Sequence, residues 1–225
     1  MNLERFRNRQ GKIWLNVGSG NFFLDEFLNV DSNFLVFLAP FYPLFKPLLK
    51  APARDWIEGY QAVRKPNNFL FANCRRPLKF PPASVDHVIV SHFLEHLHFD
   101  DAFAVVKNYF TILKPGGTLH IIVPDVGLRA REYVDKMGDP AAADEFVAWL
   151  NFEKRHMPCL TVRLLRATGW FDMEHCWLYD HSSLGKLVQD VGFKILAQND
   201  SPSAAFRRDD PCQVNILMQK PAVLT

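Results

Sequence analysis

The chain has 225 residues, 48% of them hydrophobic and 22% charged, with a formal net charge of +2. That is enough chain for one substantial core, and too little charge, scattered along the sequence, for nucleic acid to be a partner. Its four cysteines, Cys74, Cys159, Cys176 and Cys212, form no C-x-x-C pair; neither a disulfide framework nor a cysteine zinc site is indicated, and a reducing cytoplasm fits. The polar N-terminus has no apolar run of the signal-peptide kind.

In chain order, the apolar run Lys12 to Val17 ends at Gly18-Ser19-Gly20 and reads as a buried strand followed by a tight turn. A second run, Phe27 to Asp31, ends on a carboxylate. Only Asn21 to Glu26 lie between, whereas a parallel crossover usually takes about 10 to 12 residues; either the first helix is reduced to a turn or the second strand lies elsewhere. Phe34 onward is very apolar but broken by Pro40, Pro43, Pro47 and Pro52, too interrupted for a membrane span of about 20 residues. It reads as a surface excursion packed on the core, or as a lid, a homodimer contact or a peripheral membrane patch over 34–52.

Phe69 to Ala72, Val85 to Ser91 and Thr118 to Val123 read as further strands. A helix from Asp100 carries Ala102, Phe103, Val106, Phe110 and Leu113 at helical spacing, and Lys114-Pro115-Gly116-Gly117 stops it. A second helix starts near Ser182 or Ser183 and meets Gly192, where a left-handed C-terminal residue belongs. Phe193 to Ala197 and Val214 to Met218 are the last two strands. The expected fold is α/β: a doubly wound, mostly parallel, seven-stranded Rossmann-like sheet with helices on both faces. It forms a single domain over 1–225, with insertions at about 34–68 and 128–168.

The strand ends carry the chemistry, because open α/β sheets bind ligands beyond the carboxyl ends of their strands. The glycine turn lacks the third glycine of a dinucleotide fingerprint and no Gly-Lys-Ser/Thr follows, so a ligand without a diphosphate is favoured over NAD or a nucleotide sugar. Asp31 stands where such sheets present an acid to ribose hydroxyls, Asn73 where an amide meets an adenine edge, and Ser91-His92 at the fourth strand end. His92, Glu95 and His96 also match H-x-x-E-H, the spacing by which two histidines on one helical face hold zinc. The strand composition of VDHVIVS directly before them argues for a pocket wall, so no metal is expected.

Taken together, LNVGSG, NVDS, CRRPLKFPPASVDHVIVSHFLEHL and LKPGGTLHIIVPD resemble the class I S-adenosylmethionine-dependent methyltransferases. The resemblance is greatest to a branch found among cell-surface polysaccharide genes, and it extends loosely over Glu174 to Leu196. It implies S-adenosylmethionine as cofactor, with Gly18, Ser19 and Gly20 around the methionine portion, Asp31 on the ribose, and Asn16 and Ser32 also among the cofactor-binding residues. Asn73 would meet adenine, and Ser91 and His92 would close the pocket. It implies a small-molecule or glycan acceptor, methylated directly on oxygen or nitrogen, with His175, His96 and Asp125 as candidate catalytic residues, His175 foremost. The alternative is a methyltransferase-like binding or scaffold protein that has lost turnover.

Overall fold

The computed structural model describes residues 3–20, 22–33, 35–49, 51–63, 68–150, 174–198 and 213–222. Seven strands form one sheet: β1 (Trp14–Val17), β2 (Leu28–Asp31), β3 (Phe69–Phe71), β4 (Val85–Ser91), β5 (Leu113–Pro124), β6 (Lys194–Gln198) and β7 (Gln213–Gln219). Their order is β3-β2-β1-β4-β5-β7-β6. The pairs from β3 across to β5 are parallel, and β7 runs antiparallel to both β5 and β6. The chain steps outward from β1 through β2 to β3 and then returns to the other side of β1, so the switch point lies between β1 and β4. A ligand crevice forms there because neighbouring connections diverge to opposite sides.

Alternation along the strands divides the sheet into two unlike faces. Leu15, Val17, Leu28, Val30, Val88, Val90, Leu119, Ile121, Ile216 and Met218 turn to one side and build the main core. Helices α4 (Phe99–Ile112) and α7 (His181–Val191) close it with Val105, Val106, Tyr109, Leu184, Leu187 and Val188. The other face is mixed: Phe27, Ile89 and Ile122 pack with Trp14 and Leu24, beside the polar Asn16, Asn29 and His120, all buried.

The short connection between the first two strands is real. β1 and β2 pair in parallel with residues 18–27 between them and no helix there among the described residues. Three expected boundaries move slightly. α4 begins after His98, with Asp100 and Asp101 in its first turn, where acidic groups oppose the exposed N–H dipoles. Leu113, read as helical, is already the first residue of β5, and remains fully buried. α7 starts earlier than Ser182: Asp180 Oδ1 accepts from Ser183 N at 2.7 Å while Asp180 N donates to Ser183 Oγ at 3.0 Å, a reciprocal capping box. Gly192 ends it with φ at +110°, as expected.

Between β2 and β3 the chain forms short helices α1 (Leu35–Leu38) and α2 (Tyr42–Phe45), joined by 3-10 turns, and then α3 (Ala51–Val63). Tyr42, Trp56, Ile57 and Tyr60 form a second apolar cluster with Phe23 and Phe69 packed on it. After β5 come α5 (Val126–Asp135) and α6 (Ala142–Leu150); the rest of the expected insertion, 151–168, lies outside the described residues. No helix among those described is long and apolar enough to cross a membrane.

His87 on the mixed face is wedged against the Trp14 and Phe27 rings, with Nδ1 2.7 Å from Thr118 Oγ1. Burial, aided by nearby His120, lowers its pKa to about 4, and burial lowers that of His120 too. Both are therefore neutral in the folded chain at pH values where an unfolded histidine, with a pKa of about 6.5, takes a proton. The His87 contribution is complete above about pH 6.5 and is lost as the pH falls toward 4, with a limiting slope of about 1.4 kcal/mol per pH unit, and His120 acts in the same direction. Urea unfolding at pH 7.5 and pH 5 should give a lower midpoint at pH 5, and His87→Leu should reduce the difference.

Candidate active site

The glycine turn after β1 is held from below. Asn16, 3% exposed, donates through Nδ2 to Phe22 O at 2.7 Å and to Asn29 Oδ1 at 2.9 Å. Asn29 Oδ1 also accepts from Leu24 N at 2.9 Å, and its Nδ2 donates to Leu24 O at 3.1 Å and Asn68 O at 3.2 Å. This amide pair ties both strands to the crossover. Asn16, expected as a cofactor contact, is thus committed beneath the turn.

Above the pair, Gly18 and Ser19 donate backbone N–H groups to Val30 O, and Gly18 and Gly20 have φ of +68° and +53°. A Cβ on Gly18 would stand 2.6 Å from the Phe93 ring, so only glycine fits the close approach of this turn to the segment after β4. A Cβ on Gly20 would meet open space. Gly20 N donates to Asp31 Oδ2 at 2.8 Å, Asn33 N to Asp31 Oδ1 at 2.8 Å, and the Trp56 indole to Gly20 O. Burial raises the Asp31 pKa against the opposing effect of N–H groups from Gly20, Asn33 and Ser32. Asn73, past β3, is exposed and opens a turn, accepting Arg75 N at its Oδ1.

Beyond β4 the backbone is strained. His92 has φ of +51°, a left-handed conformation that non-glycine residues rarely adopt and that concentrates at functional sites. A 3-10 turn, Leu94–His96, follows in place of an α-helix, so His92 and His96 do not share a helical face. His92 instead turns its Nδ1 to within 3.4 Å of Glu95 Oε1. Glu95 is 1% exposed. Its backbone carbonyl accepts from Cys176 N and Trp177 N, which holds 174–180 alongside the turn.

That strand of chain brings in residues distant in sequence. His96 Nδ1 lies 2.9 Å from Glu174 O, His175 Nδ1 lies 2.9 Å from Leu150 O, and the two imidazoles stand 5.5 Å apart. Burial lowers the His175 pKa, partly offset by Glu95. Tyr179, 1% exposed, has its phenol pKa raised by burial and then by Glu95. Asp125 sits apart from the histidine pair: it caps α5 through Leu128 N at 3.0 Å and faces His181 Nδ1 at 3.5 Å. Its carboxylate orders the start of α5 beside the Tyr179 bridge.

Five buried side-chain atoms on these segments have no hydrogen-bond partner among the described residues: Ser19 Oγ, Ser91 Oγ, His92 Nε2, Glu95 Oε2 and Tyr179 OH. An unsatisfied buried polar group costs about 1 to 3 kcal/mol, so such a group of them marks a place built for a ligand. Tyr179 and the Trp56 contact have no sequence signature; both depend on packing between distant elements.

The methyltransferase-domain family matches residues 2–198 of the chain, which belongs to it. Among solved structures, an S-adenosylmethionine-dependent methyltransferase from Methanosarcina mazei is 17% identical, with 93% of this chain and 92% of that one aligned at a TM-score of 0.52. A Listeria monocytogenes protein assigned to the same class is 17% identical over 96% and 92% of the two chains, at 0.54. The 1,6-didemethyltoxoflavin-N1-methyltransferase of Burkholderia thailandensis, solved with S-adenosylhomocysteine, is 14% identical over 94% and 73%, at 0.50. No curated protein sequence matches the chain. The fold is that of the S-adenosylmethionine-dependent methyltransferases, a class whose cofactor is S-adenosylmethionine, and the strand order and glycine turn agree with it.

The amide pair makes a direct prediction. Asn29→Ala removes the acceptor for Asn16 and strands Leu24 N, and should lower the unfolding free energy by roughly 2–4 kcal/mol in urea titrations.

Proposed function

We propose that this chain transfers a methyl group from S-adenosylmethionine to an oxygen or nitrogen of a small-molecule or glycan acceptor. The observation that carries the reading is the set of unpartnered polar atoms of Ser19, Ser91 and His92 just past the glycine turn and the ends of β1 and β4, the two strands that flank the switch point. In this reading Gly18, Ser19 and Gly20 hold the methionine portion, Asp31 and Ser32 the ribose and Asn73 the adenine edge. Asp31 still has lone pairs beyond the N–H groups it accepts.

The cofactor supplies an electrophilic methyl on a sulfonium; what remains for the protein is to bring the acceptor in line with it and to keep water out. Bond making to the acceptor atom and breaking of the sulfur–carbon bond occur together, and the bonding pair stays on sulfur. A protic acceptor then gives up its proton. His175 stands best placed to take it, since burial keeps its imidazole neutral and the Nδ1 contact to Leu150 O leaves Nε2 with the lone pair. Four cysteines without a C-x-x-C pair suit a reducing, cytoplasmic setting.

Calorimetric titration with S-adenosylhomocysteine tests this reading. The wild-type chain should bind in the micromolar range, Ser91→Ala more weakly, and Gly18→Val not at all, since the added side chain runs into Phe93. Absence of wild-type binding would contradict the reading; binding without turnover on any hydroxyl or amine acceptor would favour the scaffold alternative.

The apolar segment over 34–52 supports a second proposal, peripheral membrane contact. Leu44 and Leu48 are 74% and 80% exposed, and Phe37, Phe41 and Phe45 are exposed beside them, with Lys46 at the edge. Clustered apolar side chains near a cation suit the headgroup boundary. The wild-type chain should co-sediment with anionic phospholipid vesicles and Leu44→Glu/Leu48→Glu should not. A concentration-dependent dimer abolished by the same variant, without vesicle binding, would assign the patch to a second copy of the chain.

A further inference from the structure

We infer that Glu95, His96 and His175 form a site for one divalent transition-metal ion of the zinc type. One ligand atom from each of the three residues lies within 4.8 Å of the others. This is not the triad that the H-x-x-E-H spacing suggests. The 3-10 turn takes His92 out of the set, and the loop at 174–180 supplies His175 in its place.

Three independent features point to a cation. Both imidazoles direct Nδ1 at a backbone carbonyl, Glu174 O for His96 and Leu150 O for His175. A carbonyl accepts only, so each Nδ1 carries the proton and each Nε2 keeps its lone pair for a ligand. Metal-bound histidines almost always donate their second ring N–H in this way, which fixes the tautomer and the ring plane. Glu95 supplies the third feature: a carboxylate 1% exposed, with Oε2 unpartnered among the described residues and Oε1 3.4 Å from His92 Nδ1. A buried carboxylate without a strong cation is costly, and a divalent ion among these three groups removes that cost.

Two imidazoles and one carboxylate suit zinc and its neighbours in the transition series rather than magnesium or calcium, which take oxygen ligands. Metal–ligand distances of about 2.1 Å require the three atoms to draw together, a movement within reach of side-chain torsions. Three protein ligands leave at least one coordination position open. On the methyltransferase reading, which this assignment of role rests on, that position receives the acceptor hydroxyl. The ion would stabilise its alkoxide, the hydroxyl proton passing to solvent water before the methyl group is transferred, and with the ion bound His175 would be a ligand, its role as base belonging to the metal-free chain.

Metal-stripped protein titrated with Co²⁺ and followed by its visible absorption tests the site directly. The wild-type chain should take up one ion, in competition with Zn²⁺. His96→Ala, His175→Asn and Glu95→Gln should each weaken uptake at least about a hundredfold, whereas His98→Ala, an exposed histidine at the start of α4, should leave it unchanged. S-adenosylhomocysteine binding is measured on the same samples: if it persists in stripped wild type and in the variants, the chains are folded and the cofactor reading stands apart from the metal result. No Co²⁺ uptake by wild type, or uptake that the three substitutions do not weaken, would overturn the inference even where S-adenosylhomocysteine still binds.

Discussion

A parallel pair of strands joined without a helix has to be fixed by something other than helix packing, and here that is the buried Asn16–Asn29 amide pair. Between them the two side chains bond each other across β1 and β2, the middle of the crossover at Phe22 and Leu24, and the approach to β3 at Asn68. Polar groups inside a core are tolerated when every one of them is satisfied, and then they specify a single arrangement. The consequence is a glycine turn held rigidly at the end of β1, with Gly18 pressed against Phe93. Everything placed around the switch point inherits its position from that clamp.

From the turn, order passes through Phe93 to the strained His92 and on to Glu95. Glu95 is the joint between two halves of the site. Its side chain faces His92 on the cofactor side, while its carbonyl accepts from Cys176 and Trp177 and so pins the segment that carries His175 and Tyr179. The unpartnered groups of Ser19, Ser91 and His92 follow the carboxyl ends of β1 and β4, the position in which a doubly wound sheet presents a ligand. The sheet's far end has different chemistry: His87 and Trp14 meet Lys114 and the Pro115–Gly117 turn there, with Asp86 paired to Lys114 at 2.6 Å.

Much of this architecture could be read from the sequence, because strand ends and caps leave local marks. The apolar runs ending in Gly18, Asp31, Asn73 and Ser91 follow from covering a parallel sheet on both faces, and Gly192 follows from the need for a left-handed residue. The site was less legible where a local pattern admitted two conformations. H-x-x-E-H yields a shared face only if it is α-helical, and the sharp turn over Leu94–His96 breaks that condition. Groups that meet through tertiary packing left no mark: Trp56 on Gly20 O, Tyr179 next to Glu95, and His96 on Glu174 O, 78 residues apart in sequence. Asn16 and Asp125 are polar residues at strand ends that also bond the scaffold, Asn16 through Nδ2 and Asp125 through Oδ1.

The most direct test of a cofactor crevice at the β1–β4 switch point is a crystal structure of the S-adenosylhomocysteine complex. The account predicts the homocysteine portion over Gly18 to Gly20, the sulfur near Ser91 and His92, and the adenosine toward Asp31 and Asn73. Ligand density at the opposite strand ends, in the basin lined by Trp14, His87 and Lys114, would contradict it.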